Sequence, residues 1–267
     1  MHPALPKSYK RMFPFKIGTT SFIYPDNYVR NVNMLAPYLD EIELIFFESA
    51  PDGLPSNLDI KELLSLANKY DLSYNIHLPL DIFLGAPEPS TRLFAIETIK
   101  QVMNLTAPLS PTSYTLHLPY EEIDFENERI KIWKERIHHS MEAICTSDIN
   151  SRIISIETLN YPIEWVEDIL IDFNLSVCMD LGHLILYGLD MKYVFDRYKN
   201  RTSIIHLHGA NDRCDHQSLD LLSKSDLKTI LEMLKQFKSI VSVEVFSYEH
   251  LKDSLKYLES VWTKHDV

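Results

Sequence analysis

Glycine and cysteine are scarce in this chain, and the few that occur form no known signature. Only six of the 267 residues are glycine, and neither GxGxxG nor GxxxxGK is present. An open Rossmann-type sheet would need a Gly-rich first turn, so this class is disfavoured. The three cysteines are odd in number and lack CxxC spacing, which indicates a reducing compartment and no disulfide framework.

Long apolar runs and basic clusters are missing as well. The first 15 residues lack the apolar core of a signal peptide, and no stretch approaches the roughly 18 apolar residues of a membrane span. We therefore expect a cytoplasmic protein without a membrane partner. The net charge is −12, and the longest basic run is Lys10-Arg11. Because duplex binding depends on Lys and Arg neutralising phosphates, we also expect no nucleic-acid partner.

The sequence does contain an eightfold alternation of strand-like and helix-like segments. The predicted strands are 15–21, 41–47, 73–78, 113–118, 152–158, 176–181, 202–208 and 240–246. The predicted helices are 26–38, 57–70, 90–105, 126–147, 162–173, 190–199, 223–237 and 249–264. Strict alternation of strands and helices requires a mostly parallel sheet. Eight such units in a chain of this length favour closure of the sheet into a barrel. We predict one α/β domain over 1–267, a (β/α)8 TIM barrel with 1–14 as an N-terminal extension.

The predicted strands also have two different faces. In the fifth strand, Ile154 and Ile156 alternate with Ser155 and Glu157. The apolar face suits the surrounding helix layer, and the polar face suits the lumen of a barrel. The polar faces therefore lead to ionisable residues that converge at one end of the barrel.

Histidines and carboxylates occupy the carboxyl ends of these strands. They are His77, His117, Glu157, Asp180, His183, His206, His208 and Glu244, with His216 in the polar loop after the seventh strand. Parallel strands deliver such side chains to one rim, and imidazole with carboxylate is the ligand chemistry of divalent metals. One such residue is more often structural, but five strand ends together predict a metal centre. Ligands without thiolate suit zinc, manganese, iron or cobalt.

Some residues are expected to have more particular roles. Gly182, in the segment Asp180-Leu-Gly-His183, is expected to let the chain turn so that His183 returns to the centre. His206 and His208 share strand parity, so one would bind metal while the other holds substrate. Glu43 is expected to contact substrate from the second strand.

The ordered set resembles the xylose isomerase-like barrel superfamily, which includes sugar-phosphate isomerases and epimerases and endonuclease IV. The endonuclease IV pattern implies two or three divalent metal ions per chain. The ligands that it implies are His77, His117, Glu157, Asp180, His183, His206, His216 and Glu244. Asp215 adjoins His216, where the family pattern leaves one residue between aspartate and histidine. Whether Asp215 or Asp212 is a ligand therefore stays open.

Four segments are similar to those of cobamide-remodelling phosphodiesterases: GTTSFIYPDN, IELIFFES, YNIHLPLDIFLG and HLHGAND. The resemblance implies a cytoplasmic, metal-dependent hydrolase that cuts the nucleotide-loop phosphodiester of a cobamide and releases adenosylcobinamide phosphate and an α-riboside. It implies catalytic roles for Glu157, Asp180 and Glu244. The residues expected to bind the substrate are Glu43, His208 and Asp215.

Three alternatives stay open. A sugar-phosphate isomerase or epimerase would use one metal, with Glu157 and Glu244 as acid and base and with His77 and His117 only in contact with substrate. An abasic-site endonuclease is disfavoured by the net charge. A metal-free binding module would leave the density of potential ligands at the rim unexplained. The sequence does not determine the oligomeric state.

Overall fold

The structure, a computed structural model, describes residues 2–121, 125–146, 150–211 and 214–264. The strands are β1 (Lys16–Thr20), β2 (Glu41–Ile45), β3 (Ser73–His77), β4 (Tyr114–Leu116), β5 (Ile154–Glu157), β6 (Ser176–Asp180), β7 (Thr202–Leu207), β8 (Gly209–Asn211), β9 (Cys214–Gln217) and β10 (Ile240–Val243). The helices are α1 (Tyr28–Leu35), α2 (Asn57–Tyr70), α3 (Pro89–Thr106), α4 (Asn127–Ile144), α5 (Glu167–Asp172), α6 (Leu181–Leu186), α7 (Met191–Tyr198), α8 (Lys224–Leu234) and α9 (Tyr248–Lys264).

Eight strands form a closed barrel in the order β1-β10-β7-β6-β5-β4-β3-β2. Each neighbouring pair is parallel. These eight strands lie within the eight predicted segments, so the prediction of a TIM barrel is confirmed. Parallel closure places all eight carboxyl ends at one rim.

The polar faces of the strands meet inside the barrel, as the alternation predicted. Ser155 of β5 lies between Ser113 and Ser203, with Oγ–Oγ distances of 2.6 and 2.5 Å. Strand β6 separates β5 from β7, so the contact with Ser203 crosses the lumen. The apolar faces, including Ile156 and Val177, have no exposed surface and pack in the core against the helices.

The helix boundaries depend on local chemistry. Helix α2 begins with a capping box, in which the Ser56 hydroxyl accepts from the backbone N–H of Asp59 and the Asp59 carboxylate accepts from that of Ser56. The helix predicted at 162–173 is instead a 3₁₀ turn, Ile163–Val166, followed by the short α5. Across the described parts of the chain, none of the helices combines the length and the apolar character that crossing a bilayer requires.

The segment predicted as a polar loop after the seventh strand is an antiparallel hairpin of β8 and β9. Gly209 pairs with Gln217, and a Cβ on Gly209 would overlap the carbonyl oxygen of Ser218. Glycine therefore allows the two backbones to approach closely. The hairpin fixes His216, on β9, beside the rim of the barrel.

Candidate metal centre

The barrel brings the predicted metal ligands together at its carboxyl rim. His77, Glu157 and Asp180 are the last residues of β3, β5 and β6, while His117 and Glu244 directly follow β4 and β10. These five residues are therefore held in place by the backbone of the barrel itself. The remaining predicted ligands are His206 within β7, His183 in the first turn of α6 and His216 on β9.

The described residues form four groups of possible ligands, one of which combines Cys178 with Glu157 and His206. The first of the other three contains His77, His117 and Glu157. The Nε2 atoms of His77 and His117 lie 3.1 and 2.8 Å from Oε2 of Glu157. The side chains of His77 and Glu157 are buried, and that of His117 is 22% exposed. The group therefore has one side toward solvent, through which a substrate could approach.

The second group contains Glu157, Asp180, His206 and Glu244, all buried. Nδ1 of His206 lies 2.9 Å from Oε2 of Glu244, 3.4 Å from Oε1 of Glu157 and 3.9 Å from Oδ2 of Asp180. Glu157 thus offers Oε1 to this group and Oε2 to the first. A carboxylate shared in this way is able to bridge two cations.

The third group contains three imidazoles, those of His183, His208 and His216. The rings of His208 and His216 are closest, with centroids 4.3 Å apart, and His183 lies 5.8 and 6.0 Å from them. His183 also connects the third group with the second, because its Nδ1 lies 3.5 Å from Oδ2 of Asp180.

Backbone carbonyl groups orient three of the histidines. Nδ1 of His77, His183 and His216 lies 2.9 to 3.1 Å from the carbonyl oxygens of Leu78, Thr158 and Glu244, respectively. A carbonyl accepts a hydrogen bond, so Nδ1 carries the proton and Nε2 keeps its lone pair. This is the usual way in which a protein prepares histidines to bind metal.

The second group fits a divalent cation, because three of its buried atoms lack ordinary partners. Nδ1 and Nε2 of His206 and Oε2 of Glu244 have no hydrogen bond within the ranges that the structure describes. Buried polar atoms without partners are costly, and a metal ion between Nδ1 of His206 and Oε2 of Glu244 would satisfy these two atoms. Ligand atoms of a tetrahedral site are about 3.3 Å apart, close to the 2.9 and 3.4 Å distances in this group.

Proximity of opposite charges shifts the pKa values at the rim. Burial alone would raise the pKa of Glu157, but His117 and His206 lower it well below its usual range. Burial alone would lower the pKa of His77, whereas Glu157 raises it to about 9. Likewise, burial opposes protonation of His208, but Asp180 raises its pKa to about 9. Without cations the His77 ring therefore holds a proton that a bound metal would displace.

Glu43, predicted to contact substrate, lies below the rim. Its side chain has no exposed surface, and its Oε2 accepts from the Ser242 hydroxyl at 2.6 Å. Its Oε1 lies 2.9 Å from Nε2 of His206 as a charge contact, without a hydrogen bond between the two atoms. This position suits a residue that acts on His206 through its charge better than one that meets a substrate.

The other predicted substrate contacts differ in their exposure. His208 is completely buried. The Asp215 side chain is 40% exposed and its Oδ2 lies 3.9 Å from Nε2 of His216, so a role in substrate binding stays a prediction. Asp212, the other candidate in this segment, is outside the described residues.

The role expected for Gly182 is wrong. Its backbone is helical within α6, and among the described glycines the one with positive φ is Gly188. A Cβ on Gly182 would instead overlap the imidazole ring of His208. Glycine at this position therefore makes room for a side chain of the rim.

Three phenylalanines form a wall beside the predicted ligands. Phe22 belongs to the loop after the first strand, which was expected to contact the substrate, whereas Phe47 and Phe246 were not predicted. Phe22 and Phe47 have ring centroids 4.6 Å apart, Phe47 and Phe246 are 5.8 Å apart, and Phe246 is 4.8 Å from the ring of His216. Phe47 and Phe246 line a cavity of about 120 Å³ together with His77, His117 and Glu157. One feature of the sequence could have indicated this wall: a phenylalanine follows within three residues of the end of the first, second and eighth barrel strands.

Comparison with known proteins identifies the family to which this chain belongs. The model of a family described as "Xylose isomerase-like TIM barrel" matches residues 39–261. "Probable endonuclease 4" of Aster yellows witches'-broom phytoplasma (strain AYWB) is 22% identical over 254 residues, with 83% of this chain and 87% of the relative covered.

Two solved structures show the same fold. A D-tagatose 3-epimerase-like protein has a TM-score of 0.76 at 17% identity, with 95% of this chain and 100% of the other covered. Endonuclease IV from Thermus thermophilus has a TM-score of 0.70 at 17% identity, with coverage of 94% and 99%. The match to the family model covers most of the chain, and the protein therefore belongs to the xylose isomerase-like TIM barrel family.

Proposed function

We propose that this protein is a metal-dependent enzyme that hydrolyses the nucleotide-loop phosphodiester of a cobamide. The products would be adenosylcobinamide phosphate and an α-riboside when the substrate is adenosylcobalamin. The reaction class rests on the arrangement of the ligands, and the choice of a cobamide rests on the resemblance of four sequence segments.

The observation that carries the reaction class is the sharing of Glu157 between two ligand groups. Its Oε2 faces His77 and His117, and its Oε1 faces His206. Two adjacent cations are typical of sites that cleave phosphodiesters. A single-metal isomerase would need the second group alone and would leave the two histidines of the first without a ligand role.

In such a reaction, different side chains would hold different cations. Bound cations would polarise the phosphoryl oxygens and stabilise the charge that develops on the leaving group. His77, His117 and Glu157 would hold one cation, and Glu157, Asp180, His206 and Glu244 another. The exposed edge of His117 leaves the first group open to a phosphodiester and to the water that would attack its phosphorus, while the other side chains of the two groups are buried.

The phenylalanine wall supports a substrate with a large apolar or aromatic part. Phe246 is 37% exposed and lies directly beside His216. Aromatic side chains bind planar rings by stacking and by edge contacts. A cobamide offers such a ring in its lower base, close to the phosphodiester that would be cleaved. The net charge of −12 also suits a small substrate better than a duplex.

The test is to incubate the purified, metal-loaded protein with adenosylcobalamin and to identify the products by mass spectrometry. We expect adenosylcobinamide phosphate and the α-riboside, and loss of both with Asp180→Ala. A matched control is Asp190→Ala, which alters an exposed aspartate that caps α7. Absence of turnover by the wild type, at full metal occupancy, would refute the cobamide assignment.

An abasic-site endonuclease is the second candidate, favoured by the similarity to "Probable endonuclease 4". The same ligand groups would serve that reaction. The discriminating measurement is cleavage of a duplex with one abasic site at physiological salt. Cleavage of the duplex without cleavage of adenosylcobalamin would select this candidate.

A further inference from the structure

His208 is bound on both sides of its ring. Its Nε2 lies 3.1 and 3.2 Å from the two carboxylate oxygens of Asp180. Its Nδ1 lies 2.9 Å from the backbone nitrogen of His216, whose N–H points at it. The ring thus connects the end of β6 with the β8–β9 hairpin.

The backbone N–H fixes the tautomer of this histidine. A peptide N–H can only donate, so Nδ1 of His208 must accept and must carry a lone pair. The carbonyl oxygen of Gly209 lies 3.2 Å from the same nitrogen, farther away than the backbone nitrogen of His216 at 2.9 Å, so the shorter contact indicates that Nδ1 accepts. In the neutral ring the proton is therefore on Nε2, where it faces Asp180.

This tautomer is the opposite of that found in the three histidines that donate Nδ1–H to carbonyl groups. Those rings keep Nε2 free for a metal, whereas His208 uses Nδ1 as an acceptor and Nε2 as a donor. Nε2 of His208 then has no lone pair, and the lone pair of Nδ1 already accepts the N–H of His216, so neither nitrogen is free for a cation. A cation on Asp180 would also offset the negative charge that favours protonation of this ring.

The surroundings hold the ring in place. His208 has no exposed surface, so it cannot touch a substrate from solvent. The ring rests against Gly182, where a Cβ would overlap it. Asp180 is held further by the backbone N–H of His183, which donates to its Oδ1 at 2.7 Å.

We propose that His208 is a positioning residue, locked as the Nε2–H tautomer, which holds the Asp180 carboxylate and the hairpin that carries His216. This inference rests on the proposed metal centre but not on the identity of the substrate. It assigns His183 and His216 as the two imidazoles of the third group that remain available to a cation.

The first test reads the tautomer directly in the wild-type protein. Two-bond ¹H–¹⁵N correlation spectra distinguish a protonated imidazole nitrogen from one with a lone pair. With Zn²⁺ bound, we expect His208 to show a protonated Nε2 and an unprotonated Nδ1. A protonated Nδ1 with a zinc-shifted Nε2 would overturn the proposal.

The second test counts metals by plasma mass spectrometry and records the visible spectrum of the Co²⁺-loaded protein. His208→Gln keeps an amide donor near Asp180, so we expect the wild-type number of metals and the wild-type cobalt bands, with affinity lowered about 10- to 100-fold. His183→Gln is the matched ligand control and should lose metal and change the bands. If His208→Gln loses the same amount of metal as His183→Gln, His208 is a ligand and the proposal fails. Neither measurement requires turnover, so an error in the proposed substrate would not affect them.

Discussion

At the scale of single residues, the rim contains both side chains that would face a cation in the proposed centre and side chains that hold them. Glu157 belongs to the first kind, because its two oxygens meet histidines of different groups. Glu43 belongs to the second kind, since it lies behind His206 and is itself held by Ser242. Such outer partners fix the tautomer and the orientation of a ligand, and they raise its basicity.

Replacing Glu43 by Gln should therefore weaken the second group without removing a ligand. The amide keeps the size of the carboxylate but loses its charge, so His206 is held less firmly as a metal ligand. We expect metal affinity or activity to fall about 10- to 100-fold, as measured by competition with a chelator and by turnover.

Glu48→Gln is the matched control for Glu43→Gln, because Glu48 is an exposed carboxylate five residues further along the chain. This variant should keep the wild-type affinity. Equal behaviour of the two variants would show that Glu43 does not act through His206.

The residue types at the rim were predictable, but several of their roles were not. Alternation in β5 placed Ser155 and Glu157 on the luminal face, and the cross-lumen contact of Ser155 with Ser203 confirms that face. The parity of His208 likewise placed it in the lumen. Its burial and its bond from the His216 backbone depend on the hairpin, which folds back from outside the strand. Sequence spacing holds no information about that contact.

At the scale of elements, the barrel supplies fixed ligands and the loops after the strands supply the surface around them. The eight barrel strands were predictable because each has a short β-branched run. The β8–β9 hairpin was not, because its strands of three and four residues are polar and depend on close backbone contact at Gly209. Phe47 and Phe246 were missed for a related reason, since the three rings of the phenylalanine wall come from loops that are distant in sequence.

Removing one ring of this wall should affect binding more than chemistry. For Phe246→Ala we expect the KM for adenosylcobalamin to rise about 10- to 100-fold, since burying a phenyl group is worth roughly 1.5–3 kcal/mol. The turnover number should change little, because the contact is present in both the ground state and the transition state. Steady-state kinetics measure both quantities.

Phe94→Ala is the control for this change, as Phe94 is an exposed phenylalanine on α3. Its KM should equal that of the wild type. Metal content must also be measured, because Phe246 contacts the ring of His216. A loss of metal with an equal loss of turnover would show that Phe246 supports the ligands and not the substrate.

At the scale of the whole molecule, the charges at the rim couple folding to metal and to pH. Nearby carboxylates raise the pKa of His77 to about 9, against burial, from an ordinary value of 6.5. The folded protein without metal thus binds more protons than the unfolded chain between these two values. Proton binding by the histidines therefore stabilises the folded state. This stabilisation is fully present below pH 6.5 and is lost as the pH rises through 9. Glu157 and Glu244 have lowered pKa values, so their contribution is present at neutral pH and is lost on acidification.

A chelator should therefore reverse the pH dependence of stability. After treatment with EDTA, we expect the free energy of unfolding, measured by urea denaturation, to fall between pH 6.5 and 9. With a divalent cation restored, it should rise over the same interval, because protons compete with the metal for the histidines. One site at 1,000 times its Kd adds about 4 kcal/mol. His77→Gln should flatten the decline of the EDTA-treated protein, since the residue that loses the proton is gone. If the treated wild type became more stable as the pH rose, the histidines would not hold protons in the folded state, and the charge pairing at the rim would not stabilise the barrel.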